Sequence, residues 1–331
     1  MLLALLTDLS ALPGCRVVTT WDARLPLPDI KSIDWQLVTD GPRQERELFR
    51  RLTTEADATL VVAPETDGLL RERSQIVCES QGKLVGCLPA AVAVCTDKLA
   101  VHRLLQQNGI PTPLTAPLGA EAEPVANFPL VIKPRDGAGS LHTRLIQDQR
   151  DWEVCRRAVG RRMLPEMIQQ EFQSGLPRSL VVLVPDGGQP CQVWPGCTQR
   201  FSCDGQFTFL GGQIEPAGWW SPELHNNLQL ICREVSGLRG YVGIDLMCPM
   251  DGGSPRILDI NPRLTTSYLG YRRLAVDNLG AWLIGRHQRR PVRWCSQSVA
   301  FDSVDIPEGI AIRQGLSADV LPRSSSHLER A

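Results

Sequence analysis

The sequence predicts an open α/β domain followed by an α+β region in two sections, and three observations predict it. Over the first 90 or so residues, short apolar runs alternate with helix-like segments. A strand, a Gly-rich loop, a strand and a helix then follow in close succession, and the rest of the chain is rich in strands. With 331 residues, 43% apolar and 21% charged, the chain has material for two or three domains, each with its own core. A net charge of -1 supplies no basic surface to draw in nucleic acid or anionic lipid.

The N-terminal section, 1–95, carries strand-like runs at "CRVVTT", "WQLVT", "ATLVVAP" and "GKLVGCL", with helical stretches at "RQERELFRRLTTEA" and "DGLLRERSQIVCES" between them. Strands alternating with helices imply βαβ units and a parallel sheet. No GxGxxG opens a helix after the first strand, so a dinucleotide fold is not indicated. "APETDG" follows a strand, where open α/β sheets place ligands. Glu65 and Asp67 nevertheless read first as loop and cap residues.

The next section, 96–175, opens with Thr96 or Asp97 capping a helix striped by Leu99, Leu104 and Leu105. Asn108-Gly109 closes that helix, and Pro111 and Pro113 prevent its resumption. Strands at "LVIKP", "HTRLI" and "MIQQEF" with a helix at "DQRDWEVCRRAV" complete an α+β unit. The third section, 176–295, has strands at "RSLVVLVP", "CQVWPG", "FTFLGGQIEP", "YVGIDLMCP" and "RILDINPRL", a helix at "SPELHNNLQLICREVSG" and a last helix near 272–287. From 296 the chain reads as a polar, mobile tail.

The opening "MLLALLTDLSALPG" is apolar, but it lacks a basic start and Asp8 interrupts it, a poor match to a signal peptide. No apolar stretch reaches membrane-spanning length. The 11 Cys, an odd number without a CxxC, point to free thiols in a reducing cytoplasm. Cys191, Cys197 and Cys203 are spaced too widely for a zinc pair and read as buried strand thiols.

Two constellations carry the chemistry. In "GYVGIDLMCPMDGGSPRILDINPR" a turn rich in Asp and Gly folds a hairpin near residue 252, so Asp245 and Asp259 face each other with side chains about 5 Å apart. Asn261 shares the face of Asp259. Opposed carboxylates repel, and a proton or a cation between them relieves this. Three hard oxygen ligands suit Mg²⁺ or Mn²⁺, while a solvated face with salt bridges to Arg is the plainer alternative.

The second constellation is "FPLVIKPRDGAGS". The chain has 31 Arg and four Lys, so each Lys is informative. Lys133 ends a strand, and the loop from Asp136 through Gly137 and Gly139 to Ser140 lets backbone N–H groups approach a phosphate. The loop is neither a Walker loop nor a dinucleotide fingerprint. His102 and His142 read as bystanders.

Taken in order, "DKLAVHRLLQQNGIPTP", "VIKPRDGAGS", "QQEF", "GIDL" and "LDINPR" resemble the ATP-grasp superfamily over residues 96–285, with the first 90 similar to the α/β domain that precedes it. The resemblance implies that Lys98 and Lys133 hold ATP phosphates under the flap of Gly137, Gly139 and Ser140. It implies that Glu171 and the Phe172 backbone take the adenine, and that Asp245, Asp259 and Asn261 bind magnesium. Arg263 would meet the reacting carboxylate or acyl phosphate, which its planar fork matches, and Lys133 would share in catalysis.

Two positions depart from the pattern. Asp259 replaces the more usual Glu, and Pro177 stands where many members place an acid on the ribose. "NPRLTTSYLG" and "APETDG" look most like tyramine–glutamate ligases of methanofuran biosynthesis and their relatives in C1-metabolising bacteria.

The expected activity is therefore ATP-dependent joining of a carboxylate, such as that of an amino acid, to an amine through an acyl phosphate, with ADP and phosphate as products. "TTSY" at 265–268 either shapes the acceptor pocket or caps a helix around a core Tyr. The expectations include small-molecule partners, no nucleic acid, no membrane and a chain compatible with a homodimer. A kinase on the same scaffold and a nucleotide-binding protein without turnover are the rival readings.

Overall fold

The computed structural model describes residues 1–303 apart from 120–121, 138, 141, 187–189 and 287–289, and within 161–162 only the backbone. Ala138 of the Gly-rich loop, the end of the expected last helix and most of the expected tail lie outside the described residues.

The chain opens with helix α1 (Leu2–Ser10), which the apolar opening run did not reveal as a helix. Ala4, Leu5, Leu6 and Leu9 are buried, and they join a core that also holds Tyr268, Leu269, Tyr271 and Trp282 from the far end of the chain. Strands β1 (Val17–Asp22) and β2 (Ile33–Val38) pair in parallel, followed by α2 (Gly41–Glu55). Strand β3 (Thr59–Leu60), α3 (Leu69–Glu79) and β4 (Leu84–Val85) form a βαβ unit, its strands also parallel. Parallel pairing is thus as expected, but in two separate pairs where one sheet was expected.

Helix α4 (Pro89–Thr96) leads directly into α5 (Lys98–Gln107). Asp97 caps α5 by accepting from the amides of Leu99 and Ala100, and Gly109 closes it at φ +66°. Next come β5 (Thr115–Pro117), β6 (Leu130–Pro134), β7 (Arg144–Ile146), α6 (Gln149–Met163) and β8 (Met167–Glu171). The four strands form a small sheet in the order β5-β8-β6-β7. Alternation along β6 sends Leu130 and Ile132 into a core with Trp152 and Cys155 of α6. The same alternation leaves Val131 and Lys133 on the opposite face.

The larger sheet contains β9 (Leu176–Val184), β10 (Gln192–Val193), β11 (Gly196–Phe201) and β12 (Phe209–Glu215). After α7 (Pro222–Glu234) it gains β13 (Gly240–Cys248) and β14 (Arg256–Asn261). The chain then forms α8 (Tyr268–Leu274), α9 (Gly280–Leu283) and β15 (Val299–Asp302). The strand order is β14-β13-β9-β11-β12-β15, with β10 pairing β9.

Along β9, Leu180, Val182 and Val184 face one core while Val181 and Leu183 face the other, so this end of the sheet is covered on both sides. Toward the start of β9 the cover is absent from one face. Residues 176–178 are only partly buried, and a cleft opens there.

Three expectations need correction. The last helix divides into α8 and α9, because Asn278 turns its side chain to the Gly280 amide and to the Asp8 carbonyl of α1, interrupting the helix between them. The polar tail begins as a strand: β15 pairs with β12 and buries Phe301, so residues 299–302 complete the sheet edge. Of the three evenly spaced cysteines, Cys191 and Cys197 are buried as expected, whereas Cys203 lies at an exposed hairpin tip.

Candidate active site

A cleft of about 620 Å³ separates the two sheets. Val131 and Lys133 of β6 line one wall, Asp245 and Met247 of β13 the other, and Asp136, Gly137, Gly139, Ser140 and Thr143 form the rim. The linker from β8 to β9, Glu171 to Gly175, closes one end. Every proposed site residue, Lys98, Lys133, Gly137, Gly139, Ser140, Glu171, Phe172, Asp245, Asp259, Asn261 and Arg263, lines this one space.

Asp245 and Asp259 are direct partners across the β13–β14 ladder, and Asn261 pairs with Gly243 on the same face. Asn261 donates its Nδ2 to Asp245 Oδ2 at 2.8 Å, which leaves its own carbonyl oxygen facing elsewhere. Gln199 of β11 donates to Asp245 Oδ1 at 3.0 Å. Asp259 Oδ1 accepts from the Ile260 amide, and its Oδ2 stands 3.6 Å from Lys98 Nζ. Burial pushes the Asp245 carboxyl above its ordinary range. The charge of Asp259 pushes the same way, and the two amide donors pull it back.

Lys133 Nζ donates to Gln170 Oε1 at 2.9 Å. Burial lowers its ammonium from 10.5 to about 8, with Lys98 adding to the shift and the two aspartates opposing it. Lys98 Nζ donates to the Gly137 carbonyl at 2.8 Å, which ties the first turn of α5 to the Gly-rich rim. Gly137 and Gly139 hold φ of +119° and +71°, and Ser140 holds +59°. Glycine is the residue that adopts such angles freely. Glu171 Oε2 accepts from the Leu114 amide at 3.3 Å, and the Phe172 amide donates weakly to the Pro129 carbonyl at 3.4 Å.

The donor set fits a magnesium ion. Two opposed carboxylates repel each other, and Asn261 has an amide oxygen free of Asp245. Among the described residues no group of three His, Cys, Asp or Glu gathers into a metal cage. A sparse set of two carboxylates and an amide suits an ion that also takes phosphate oxygens and water.

Arg263, expected beside the reaction, lines the cleft together with Thr265, Thr266 and Ser267. Thr265, Ser267 and Tyr241 share their hydroxyls in one network, with contacts of 2.7 Å from Thr265 to each of the others. The hydroxyls of "TTSY" line the cleft and Tyr268 is a core residue, but Ser267 at the head of α8 makes no side-chain capping bond, so the cap reading holds only in its core Tyr. His102 is buried in α5, burial lowers its pKa, and it does not line the cleft.

Three contributors went unread in the sequence. Gln199 and Gln170 are polar strand residues whose role shows only once the sheets meet. Glu65, first read as a cap, is 4% exposed and bonded to Arg263 Nη2 at 2.8 Å. Its one signal was its place at the carboxyl end of a strand.

Two sheets facing one cleft, with Lys98 of α5, Lys133 of β6 and paired carboxylates beneath a Gly-rich rim, form the ATP-grasp arrangement. Residues 95–267 match the ATP-grasp domain family, and the chain belongs to it. Residues 15–92 match the pre ATP-grasp 3 domain.

Among curated proteins the chain is similar to two tyramine–L-glutamate ligases. It is 24% identical to that of Methanocaldococcus jannaschii over 245 residues, 74% of this chain and 68% of the relative. It is 25% identical to that of Methanocaldococcus fervens over 216 residues, 65% of this chain and 62% of the relative, so less than two thirds of that protein is spanned.

Among solved structures, an L-amino acid ligase from Bacillus licheniformis gives a TM-score of 0.66 at 16% identity, covering 83% of this chain and 68% of that one. A biotin carboxylase–βγ-ATP complex from Campylobacter jejuni gives 0.68 at 15% identity, covering 86% and 67%. At these identities the likeness shows the fold. No helix among the described residues is long and apolar enough to cross a membrane.

Proposed function

We propose that this protein is a cytoplasmic ATP-dependent carboxylate–amine ligase working through an acyl phosphate. The observation that carries this is the convergence of Lys98, Lys133, Asp245, Asp259, Asn261 and Arg263 on a single cleft between two sheets. Lys98 and Lys133 neutralise the triphosphate, and the rim at Gly137, Gly139 and Ser140 presents backbone N–H groups to it. Glu171 and the Phe172 backbone take the adenine. Asp245, Asp259 and Asn261 would hold Mg²⁺ or Mn²⁺, which supplies charge neutralisation on the phosphates when bound.

A substrate carboxylate oxygen attacks the γ-phosphorus. The bond from phosphorus to the ADP oxygen breaks, leaving ADP and an acyl phosphate. The amine then attacks the acyl carbon, the C–O bond to phosphate breaks, and the amine loses a proton as the amide forms. Arg263 faces the acyl phosphate oxygens through its planar fork, and positioning plus charge stabilisation supply most of the acceleration.

The names of the two curated relatives support a finer reading, in which glutamate supplies the carboxylate and tyramine or a related aromatic amine attacks, as in methanofuran-type cofactor biosynthesis.

A screen of ADP and phosphate release over pairs of amino acids and amines tests the proposal, with Asp259→Asn as the inactive control. Phosphate release that requires both partners supports it. A stable phosphorylated product formed from one partner would replace it with a kinase, and ATP binding without ADP formation in any mixture would leave a nucleotide-binding protein.

A further inference from the structure

One buried carboxylate of the site lies outside the nucleotide and metal groups. Glu65, in the loop after β3, is 4% exposed, and its Oε2 accepts from Arg263 Nη2 at 2.8 Å across 198 residues of chain. Arg263 lines the cleft and Glu65 does not, so the acid backs the guanidinium away from the open side. The remaining anchors of Arg263 are weak. Its Nη1 donates to the carbonyl of the adjacent Leu264 at 3.2 Å, and its Nε is buried with no partner among the described residues.

An arginine side chain has much rotamer freedom to lose, and a fork with one carbonyl contact does not hold its plane. The carboxylate that holds it sits where it is disfavoured: burial and the nearby charge of Asp259 both penalise its ionised form, and Arg263 and Lys98 offset them. A second contact ties the same loop to the site. Thr66 Oγ1 lies 3.9 Å from where a side chain on Gly137 would begin, so the loop that carries Glu65 also abuts the Gly-rich rim.

We propose that Glu65 is a positioning residue of the ligase site: the N-terminal section reaches into the cleft wall and sets the plane of Arg263 toward the acyl phosphate. The inference rests on the ligase reading of Arg263. It means that residues 1–95 complete the catalytic geometry from outside the ATP-grasp match.

The test uses the full chain with Glu65→Gln, Glu65→Asp, Arg263→Lys and the double variant Glu65→Gln/Arg263→Lys. Glu65→Gln keeps the side chain's size and should lower kcat about 10- to 100-fold while the KM for ATP stays within about twofold. Residues acting as a unit are non-additive, so the double variant should fall within about twofold of Arg263→Lys alone. Glu65→Asp, which keeps the charge, should recover part of the loss. It also supplies the measurement if Glu65→Gln fails to fold.

A second readout needs no turnover: phenylglyoxal labelling of Arg263, followed by mass spectrometry, should run several-fold faster in Glu65→Gln than in the wild type. Multiplicative losses in the double variant, a wild-type kcat in Glu65→Gln, or equal labelling rates would each overturn the inference. A wild-type protein that forms no ADP with any acid and amine would instead overturn the ligase reading, and the labelling rates would still decide the pairing.

Discussion

Asp245 and Asp259 stand directly opposite each other on neighbouring antiparallel strands, and an amide from Asn261 reaches Asp245 at 2.8 Å. Two carboxylates in that relation repel each other, and Lys98 Nζ, 3.6 Å from Asp259 Oδ2, offsets part of that repulsion. Gln199 and Asn261 satisfy Asp245 with hydrogen bonds, but they carry no charge to cancel the repulsion. On the proposed reading, a divalent ion would relieve the repulsion that Lys98 leaves.

Asp259→Asn removes one of the opposed charges while keeping the side chain's shape. ADP release should fall by about 100-fold or more, because a metal-held triphosphate loses half its carboxylate support. The urea midpoint should change little, since a like-charge contact is relieved while Lys98 loses its carboxylate partner at 3.6 Å. Undiminished ADP release would remove the metal assignment.

Burial holds the Lys133 ammonium near 8, against an ordinary value of 10.5. Between those two values the unfolded chain binds more protons than the folded one, so this group's contribution to stability increases as pH rises from about 8 to about 10.5. A bound triphosphate acts in the opposite sense, because it favours the charged amine. Nucleotide binding should take up protons near pH 8, and affinity should weaken above it. Calorimetry in two buffers of different ionisation enthalpy reads the uptake directly, and Lys133→Met should abolish it. Equal heats for the wild type in both buffers would contradict the assignment.

Asp8 of α1 accepts from Arg272 Nη2 at 2.8 Å and from Tyr268 Oη at 2.6 Å, joining α1 to α8. Asp8→Ala removes the acceptor shared by a partly buried guanidinium and a buried phenol, at an expected cost of about 2–3 kcal/mol in urea unfolding. The kcat of the folded variant should stay within about twofold of the wild type, because the pair lies outside the cleft. A loss under about 0.5 kcal/mol would show that apolar packing alone seats the helix.

Gly196 opens β11 where a Cβ would sit 1.6 Å from Trp219 Nε1. Gly196→Ala must push the indole out of its place, where Arg178 lies 4.3 Å over the ring. A cost of about 2 kcal/mol or more is expected, with altered tryptophan emission. Wild-type stability and emission would mean that the indole has room to yield.

Much of the cleft could be read along the chain. Alternation about a turn at residue 252 set Asp245 against Asp259, and the ladder pairs them so. Asp97 and Asn108-Gly109 marked both ends of α5, and Lys98 and Lys133 stood at element boundaries that now face one space. These are short-range matters: period, caps and turns govern backbone conformation and which side chains share a face.

What stayed hidden was which surfaces meet. The apolar opening run signalled burial without naming its partner, and that partner comes from residues 268–283. Strand β15 forms because β12 offers its edge to it, not because of its own composition. Glu65 looked like a loop acid until folding brought Arg263 to it from 198 residues away. Such contacts depend on packing between elements distant in the chain, and local patterning carries no record of them.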